Sequence, residues 1–156
     1  MIEVREIRNQ ADMSKAFDIR RRVFVIEQEC PPDEEYDTYE ESSRHFLANF
    51  KGLPVGTCRF RTTQKGIKLE RFAVLKAYRK TGIGAALLQN CLDIISKNML
   101  GYDHSKSPQI TTSSVSTIYL HAQEHAMEFY TKYHFIAEGD RFYEAGIPHF
   151  AMRFTL

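Results

Sequence analysis

The sequence predicts an α+β or α/β fold with one central sheet, on three observations. Some stretches alternate apolar and polar residues with the two-residue period of strands. Longer ones carry apolar residues at helical spacing, and the two kinds follow one another in mixed order. The 156 residues, 43% hydrophobic, suffice for a single domain, 1–156, with its own core. A formal net charge of +1 offers no reason to invoke nucleic acid as a partner. The start, Met1-Ile2-Glu3-Val4-Arg5-Glu6, is not a secretory leader, and no apolar run approaches the ~20 residues of a membrane span. The expectation is a cytoplasmic protein with no membrane partner. Cys30, Cys58 and Cys91 are odd in number and far apart, which speaks for free thiols rather than disulfides or a zinc knuckle.

In chain order, residues 2–8 set Ile2, Val4 and Ile7 against Glu3, Arg5 and Glu6, the pattern of a strand with one buried face. Asp12 or Ser14 is suited to cap the following helix. Phe17, Ile19, Val23, Phe24 and Ile26 form its apolar side, leaving Arg20, Arg21 and Arg22 more exposed. Pro31-Pro32 stops this helix. The acidic stretch Asp33-Glu34-Glu35-Tyr36-Asp37, with Glu27, Glu29, Glu40 and Glu41 nearby, would attract a cationic amine. Two strands, 45–50 and 55–63, are joined by Lys51-Gly52-Leu53-Pro54. Alternation places Val55, Thr57, Arg59 and Arg61 on one face, opposite Cys58 and Phe60; Arg59 could reach a ligand, but an arginine on a solvated sheet face is the commoner case. The central strand spans 67–75. A wide apolar stripe, Leu87, Leu88, Cys91, Leu92, Ile95 and Met99, marks a helix packed on the sheet. The long Ser/Thr-rich connection 101–117 offers an extra edge strand at 110–115. A short buried strand at 118–120, a helix over 123–133, and strands at 135–138 and 149–156 complete the pattern.

The chain is organised around residues 69–88. An apolar run ends at Leu75, a basic turn follows, and Gly82 and Gly84 open the long helix. The first N–H groups of a helix have no intrahelical partner and sit at the positive end of its dipole, so they can bind phosphate through main chain alone. Arg79 and Lys80 add full charges. A nucleotide P-loop does not fit, and Leu87 stands where Gly-x-Gly-x-x-Gly requires its third glycine. What remains is Arg79-Lys80-Thr81-Gly82-Ile83-Gly84, an Arg-x-x-Gly-x-Gly/Ala pattern directly after a strand.

This pattern resembles the pyrophosphate-binding motif of the GNAT superfamily of acyl-CoA-dependent N-acetyltransferases. A second stretch, Ala126-Met127-Glu128-Phe129-Tyr130-Thr131-Lys132-Tyr133-His134-Phe135, resembles that superfamily's Ala-x-x-Phe/Leu-Tyr-x-Lys-x-Gly-Phe signature. The two together are more specific than either alone, and the resemblance covers nearly the whole chain. The stretches 24–28 and 142–149 look like the YjcF-like branch of bacterial GNATs. Two departures stand out: His134 replaces the usual glycine, and Gln123 stands where many members have asparagine.

The resemblance implies a GNAT fold, with a central mixed, mostly antiparallel β-sheet flanked by helices, and acetyl-CoA as cosubstrate. It implies that the backbone of Phe72, Ala73 and Val74 holds the pantetheine arm. The loop Arg79, Lys80, Thr81, Gly82, Ile83, Gly84 and Ala85 would take the pyrophosphate, and Gln123 would also contact the cofactor. Tyr130 matches the family's general acid. For the general base, Glu70 is the first choice, since straight alternation sets it on the same face as Phe72 and Val74; His121 is the second. Glu27, His45, Glu144 and His149 are candidates for substrate contact. His121-Ala122-Gln123-Glu124-His125 also matches the His-x-x-Glu-His pattern of zinc peptidases, but those histidines must share a helix face and His121 ends a strand-like run, so no metal is expected. The implied activity is transfer of acetyl from acetyl-CoA to a small-molecule amine by direct attack, and family precedent adds a homodimer. The alternative is an acyl-CoA-binding sensor or interaction module that retains the fold without turnover.

Overall fold

The computed structural model describes residues 1–99 and 117–155; the expected edge strand at 110–115 lies outside them. Its strands are β1 (Ile2–Glu6), β2 (Arg44–Phe50), β3 (Leu53–Thr62), β4 (Gly66–Val74), β5 (Thr117–Gln123), β6 (Phe135–Glu144) and β7 (Ile147–Phe154). They form one sheet in the order β1-β2-β3-β4-β5-β7-β6. Only the central β4–β5 pair is parallel, so the mixed, mostly antiparallel sheet expected from the sequence is present.

Helices cover both faces. α1 (Gln10–Arg20) lies on one with the short α2 (Pro32–Glu35); α3 (Ile83–Met99) and α4 (Met127–Thr131) lie on the other. Side-chain alternation divides the core accordingly. Phe46 and Ala48 of β2 pack with Leu87, Leu88, Cys91 and Ile95 of α3, whereas Leu47 between them packs with Ala16 and Ile19 of α1. α3 can lie close to the sheet because Gly56 has no side chain: a Cβ there would stand 2.8 Å from Ile83 Cγ2. Gly56→Ala is therefore expected to destabilise the fold by about 1–3 kcal/mol, the usual cost of overpacking. Chemical denaturation checks this, and an unchanged midpoint would refute the close-packing account.

The cap of α1 is Asn9, whose Oδ1 accepts the Asp12 N–H at 2.8 Å. Neither expected residue caps the helix, because Asp12 is engaged by Arg5 at 2.9 and 3.0 Å. The helix does not continue as α-helix to Ile26. Residues Arg21–Glu27 widen into π-helix, which shifts the phase of the apolar stripe and leaves Ile26 59% exposed. Arg20, expected at the surface, is 1% exposed.

Two of the three hairpin turns, Lys51-Gly52 and Ala145-Gly146, use two residues with positive φ, as the right-handed twist of paired strands favours. The second lets β6 and β7 run longer than expected. The helix expected over 123–133 shortens to a 3₁₀ turn, Glu124–Ala126, followed by α4. Val55 joins Cys58 and Phe60 in the α3-side core because the β2–β3 register slips at Ala48/Asn49. No described helix is long and apolar enough to cross a membrane.

Candidate active site

The site begins where β4 and β5 part. Their pairing runs from Gly66 opposite Thr117 to Leu69 opposite Leu120 and stops, although β4 continues to Val74 and β5 to Gln123. A bulge in β4 accompanies the parting. Thr57 pairs with Ala73 and Arg59 with Glu70, so Arg71 and Phe72 together oppose Cys58, and Arg71 takes a left-handed φ of 58°. Such a bulge bends a strand and terminates pairing. Beyond it the β5-facing edge of β4 has no described ladder partner, leaving main-chain groups to bind an extended ligand.

The bulge also reverses side-chain parity, which corrects one expectation. Ile67 and Leu69 face α3 before it, and Phe72 and Val74 do so after it, while Ala73 turns to the α1 core. Glu70 therefore lies on the opposite face from Phe72 and Val74. There its carboxylate meets Arg59 at 2.5 Å, Arg61 at 3.0 Å and Lys68 at 3.1 Å. The pull of these cations outweighs the cost of burial and holds its pKa at about 2. A carboxylate this strongly stabilised has little tendency to take a proton from an amine.

The surrounding ion network corrects three further expectations. Arg59 is fully buried rather than solvated, with Asp37 at 2.6 Å and Glu40 at 2.5 Å. Arg20 binds Glu35 at 2.7 Å and Glu40 at 2.8 Å. Arg71 reaches Asp37 at 3.1 Å and the Glu35 carbonyl. Much of the acidic stretch expected to attract an amine is thus neutralised by the protein's own arginines. His45 is buried on the same side, its Nε2 against the Glu40 carbonyl at 2.7 Å. Burial lowers its pKa, so it stands as a neutral structural ring.

The glycine loop follows the opened end of β4. Lys80 and Gly82 both take positive φ, 64° and 93°, and Thr81 Oγ1 donates to the Tyr78 carbonyl. The first intrahelical bond runs from Ala86 N–H to Gly82 O at 3.0 Å. The N–H groups of Ile83, Gly84 and Ala85 thus precede the ladder at the head of a 17-residue helix. Gly84 keeps this terminus close to α4, since a Cβ there would touch the Phe129 ring at 3.5 Å.

Tyr130, next to Phe129, belongs to the α3-side core and packs edge-on against Phe72 with ring centroids 6.0 Å apart. Among the described residues its hydroxyl makes no hydrogen bond. Burial raises its pKa above the ordinary phenol value, keeping it a neutral O–H donor. His134 adopts a φ of 71°, so the turn after α4 keeps a glycine-like conformation without glycine.

On the opposite face of the cleft, β5 presents Tyr119, His121 and Gln123. His121 Nδ1 lies 2.8 Å from Glu144 Oε1. The His121 contact lowers the Glu144 pKa, so an ionised carboxylate orients the ring, and among the described residues Nε2 has no hydrogen-bond partner. Phe142 packs edge-on against His121. His149 supports the pair from β7, its Nδ1 donating to the Ile147 carbonyl at 2.7 Å and its Nε2 3.8 Å from Glu144. His121 in a strand and His125 in a 3₁₀ turn share no helix face.

The remaining candidates meet at the cleft mouth. Glu27 pairs with Arg79 through two bonds of 2.6 Å, and Gln123 exchanges amide hydrogen bonds of 2.9 and 3.1 Å with Gln28. Gln28 and Arg71 are the site residues that the sequence did not single out. Gln28 borders Glu27 in a stretch already noted, but nothing local announces its partner 95 positions away.

Comparison with known proteins agrees with this geometry. A family model described as an acetyltransferase (GNAT) domain matches residues 15–156. A Bacillus subtilis (strain 168) protein provisionally designated an acetyltransferase is 34% identical over 154 residues, covering 97% of this chain and 95% of its own. The uncharacterized N-acetyltransferase YjcF of the same organism is 32% identical, covering 93% and 94%. The crystal structure of an acyl-CoA N-acyltransferase from Pseudomonas aeruginosa superposes with a TM-score of 0.79 at 23% identity, covering 99% of this chain and 100% of that one.

Proposed function

Since the chain belongs to the GNAT acetyltransferase family and is an acyltransferase, we propose that it moves the acetyl group of acetyl-CoA directly to a primary amine of a small molecule. The observation that carries this reading is the parted β4–β5 pair, with Tyr130 on one face and the His121–Glu144 pair on the other. A gap between strands opens to both faces, so an acid and a base set on opposite sides can serve one reacting centre.

The donor supplies an activated thioester; the chain supplies the rest. Backbone groups of β4 beyond the bulge hold the pantetheine arm and polarise the thioester carbonyl, and the N–H groups of Ile83, Gly84 and Ala85 hold the diphosphate. His121 Nε2 takes the proton lost as the amine nitrogen forms its C–N bond. As the C–S bond breaks, Tyr130 donates its hydroxyl hydrogen to the departing sulfur. Free CoA leaves as the thiol, and the imidazole proton returns to solvent or to the phenol. Glu144 is a positioning residue, acting through His121. Glu70 is left out of the proton path because three cations hold its charge.

Calorimetric titration with acetyl-CoA and CoA, with ATP as control, tests the donor site, and thiol release across a panel of amines tests turnover. Micromolar binding of both CoA forms but not ATP is the expected result. Absence of CoA binding would reduce the glycine loop to a structural turn. Gly82→Asp is expected to weaken CoA binding by about tenfold or more, since it sets a negative charge at the helix terminus. Retained affinity in a folded variant would remove this loop from the donor site. His121→Asn is expected to lower kcat by about 100-fold, the lower range for a lost general base. Glu144→Gln should cost less while altering the pH profile of kcat. Equal and pH-independent losses in both variants would make the pair a structural contact.

A further inference from the structure

We propose that Glu27 is an internal anion at the mouth of the donor cleft, holding Arg79 until a phosphate of the donor takes the guanidinium from it. This rests on the acetyl-CoA reading above. It adds an exchange in which one of the chain's own carboxylates competes with the donor.

The two oxygens of Glu27 receive one bond each from Arg79 Nη1 and Nη2, both at 2.6 Å. Arg79 Nε donates to the Val74 carbonyl at 2.9 Å, which fixes the plane of the guanidinium against the end of β4. Lys76 adds positive potential at the same carboxylate. One anion therefore sits where the residues that follow β4 concentrate positive charge. A phosphate accepts the same two-pronged geometry from arginine as a carboxylate does, so it can replace Glu27 without moving Arg79 from Val74. Both side chains are more than a third exposed, 37% and 36%, so a ligand can reach the pair and displace it.

The neighbouring residue gives the exchange a mechanical side. Gln28 is joined to Gln123 on the opposite lip by two amide bonds. Residues 27 and 28 thus tie the β4 side to the β5 side across the mouth. Glu27 ends the π-helical stretch, a form of helix with little intrinsic stability, and can be released without unwinding α1.

Donor binding must then offset the loss of the Glu27–Arg79 pair. Calorimetry with CoA on the wild type, Glu27→Gln, Arg79→Gln and the double variant tests this. Glu27→Gln is expected to bind CoA about two- to fivefold more tightly, the range for a partly exposed ion pair. In the Arg79→Gln background the same change should have no effect. Unchanged or weaker CoA binding in Glu27→Gln would overturn the exchange, as would a gain that persists without Arg79. A wild type that binds CoA normally while Glu27→Gln shows no gain refutes the exchange alone. A wild type that binds no CoA refutes the acetyl-CoA reading, and the exchange with it.

Discussion

Tyr130→Phe is expected to lower kcat by about two to four orders of magnitude while leaving the Kd for CoA within about twofold. The substitution removes one oxygen and keeps the ring that packs against Phe72, Phe129 and Phe135, so the core is preserved. Because no hydrogen bond within the described residues uses the hydroxyl, losing it leaves no orphaned partner among them. The whole effect therefore falls on the step in which sulfur departs. Burial keeps the phenol protonated, so the wild-type rate should not decline with rising pH through the ordinary phenol range. Steady-state kinetics alongside calorimetry checks both points. A variant with unchanged kcat would exclude Tyr130 from the proton path; one with lost CoA affinity would make it a binding residue.

Arg59→Met is expected to destabilise the protein by about 3–5 kcal/mol, the cost of removing one partner from a buried charge cluster. For a chain of this size that lowers Tm by roughly 10–15 °C. Among the described residues, Arg59 is the only group in contact with Asp37, Glu40 and Glu70 together. Without it, three carboxylates crowd one another with less opposing charge. The pH dependence supplies a second readout. Asp37 and Glu70 are both held at about 2 in the folded protein, below their ordinary values near 4. Their contribution to stability is present above those ordinary values and is lost as pH falls toward 2. The gap between wild type and Arg59→Met should accordingly narrow on acidification below about pH 4.5. A constant gap from pH 7 to pH 3 would mean that packing of the arginine stem, not its charge, carries the effect.

These cases also show which parts of the protein can be seen in the sequence. The glycine loop is visible because all its parts, the strand end, Arg79, Gly82 and Gly84, lie within a few residues. Tyr130 is visible for the same reason. The grouping of His121, Glu144 and His149 is not, because it depends on how β5, β7 and β6 align, and that alignment is set by a tight turn at Ala145-Gly146. An alanine with positive φ gives little local warning of such a turn. Arg20 and Arg59 read as surface residues because nothing beside them shows their acidic partners, which lie 11 to 22 positions away. Glu70 reads as a neighbour of Phe72 and Val74 because alternation counted straight through Arg71 contains no trace of the extra residue.

That extra residue makes β4 two reading frames joined at a seam. Substitution at Arg71 is a local matter of charge and φ, and glycine would even relieve the backbone. Deletion is different, since it would restore unbroken alternation with every later side chain on its present face: Leu69, Phe72 and Val74 already share the α3 side, and Ala73 the α1 side. Phe72 would pair directly with Cys58, and the bulge that accompanies the parting of β4 from β5 would be gone. An amino-acid change at this seam is a point mutation in the ordinary sense. A one-residue deletion there leaves both cores in place but takes away the bend that opens the cleft, so lineages of this chain that keep the cleft should vary at Arg71 in identity far more readily than in residue count.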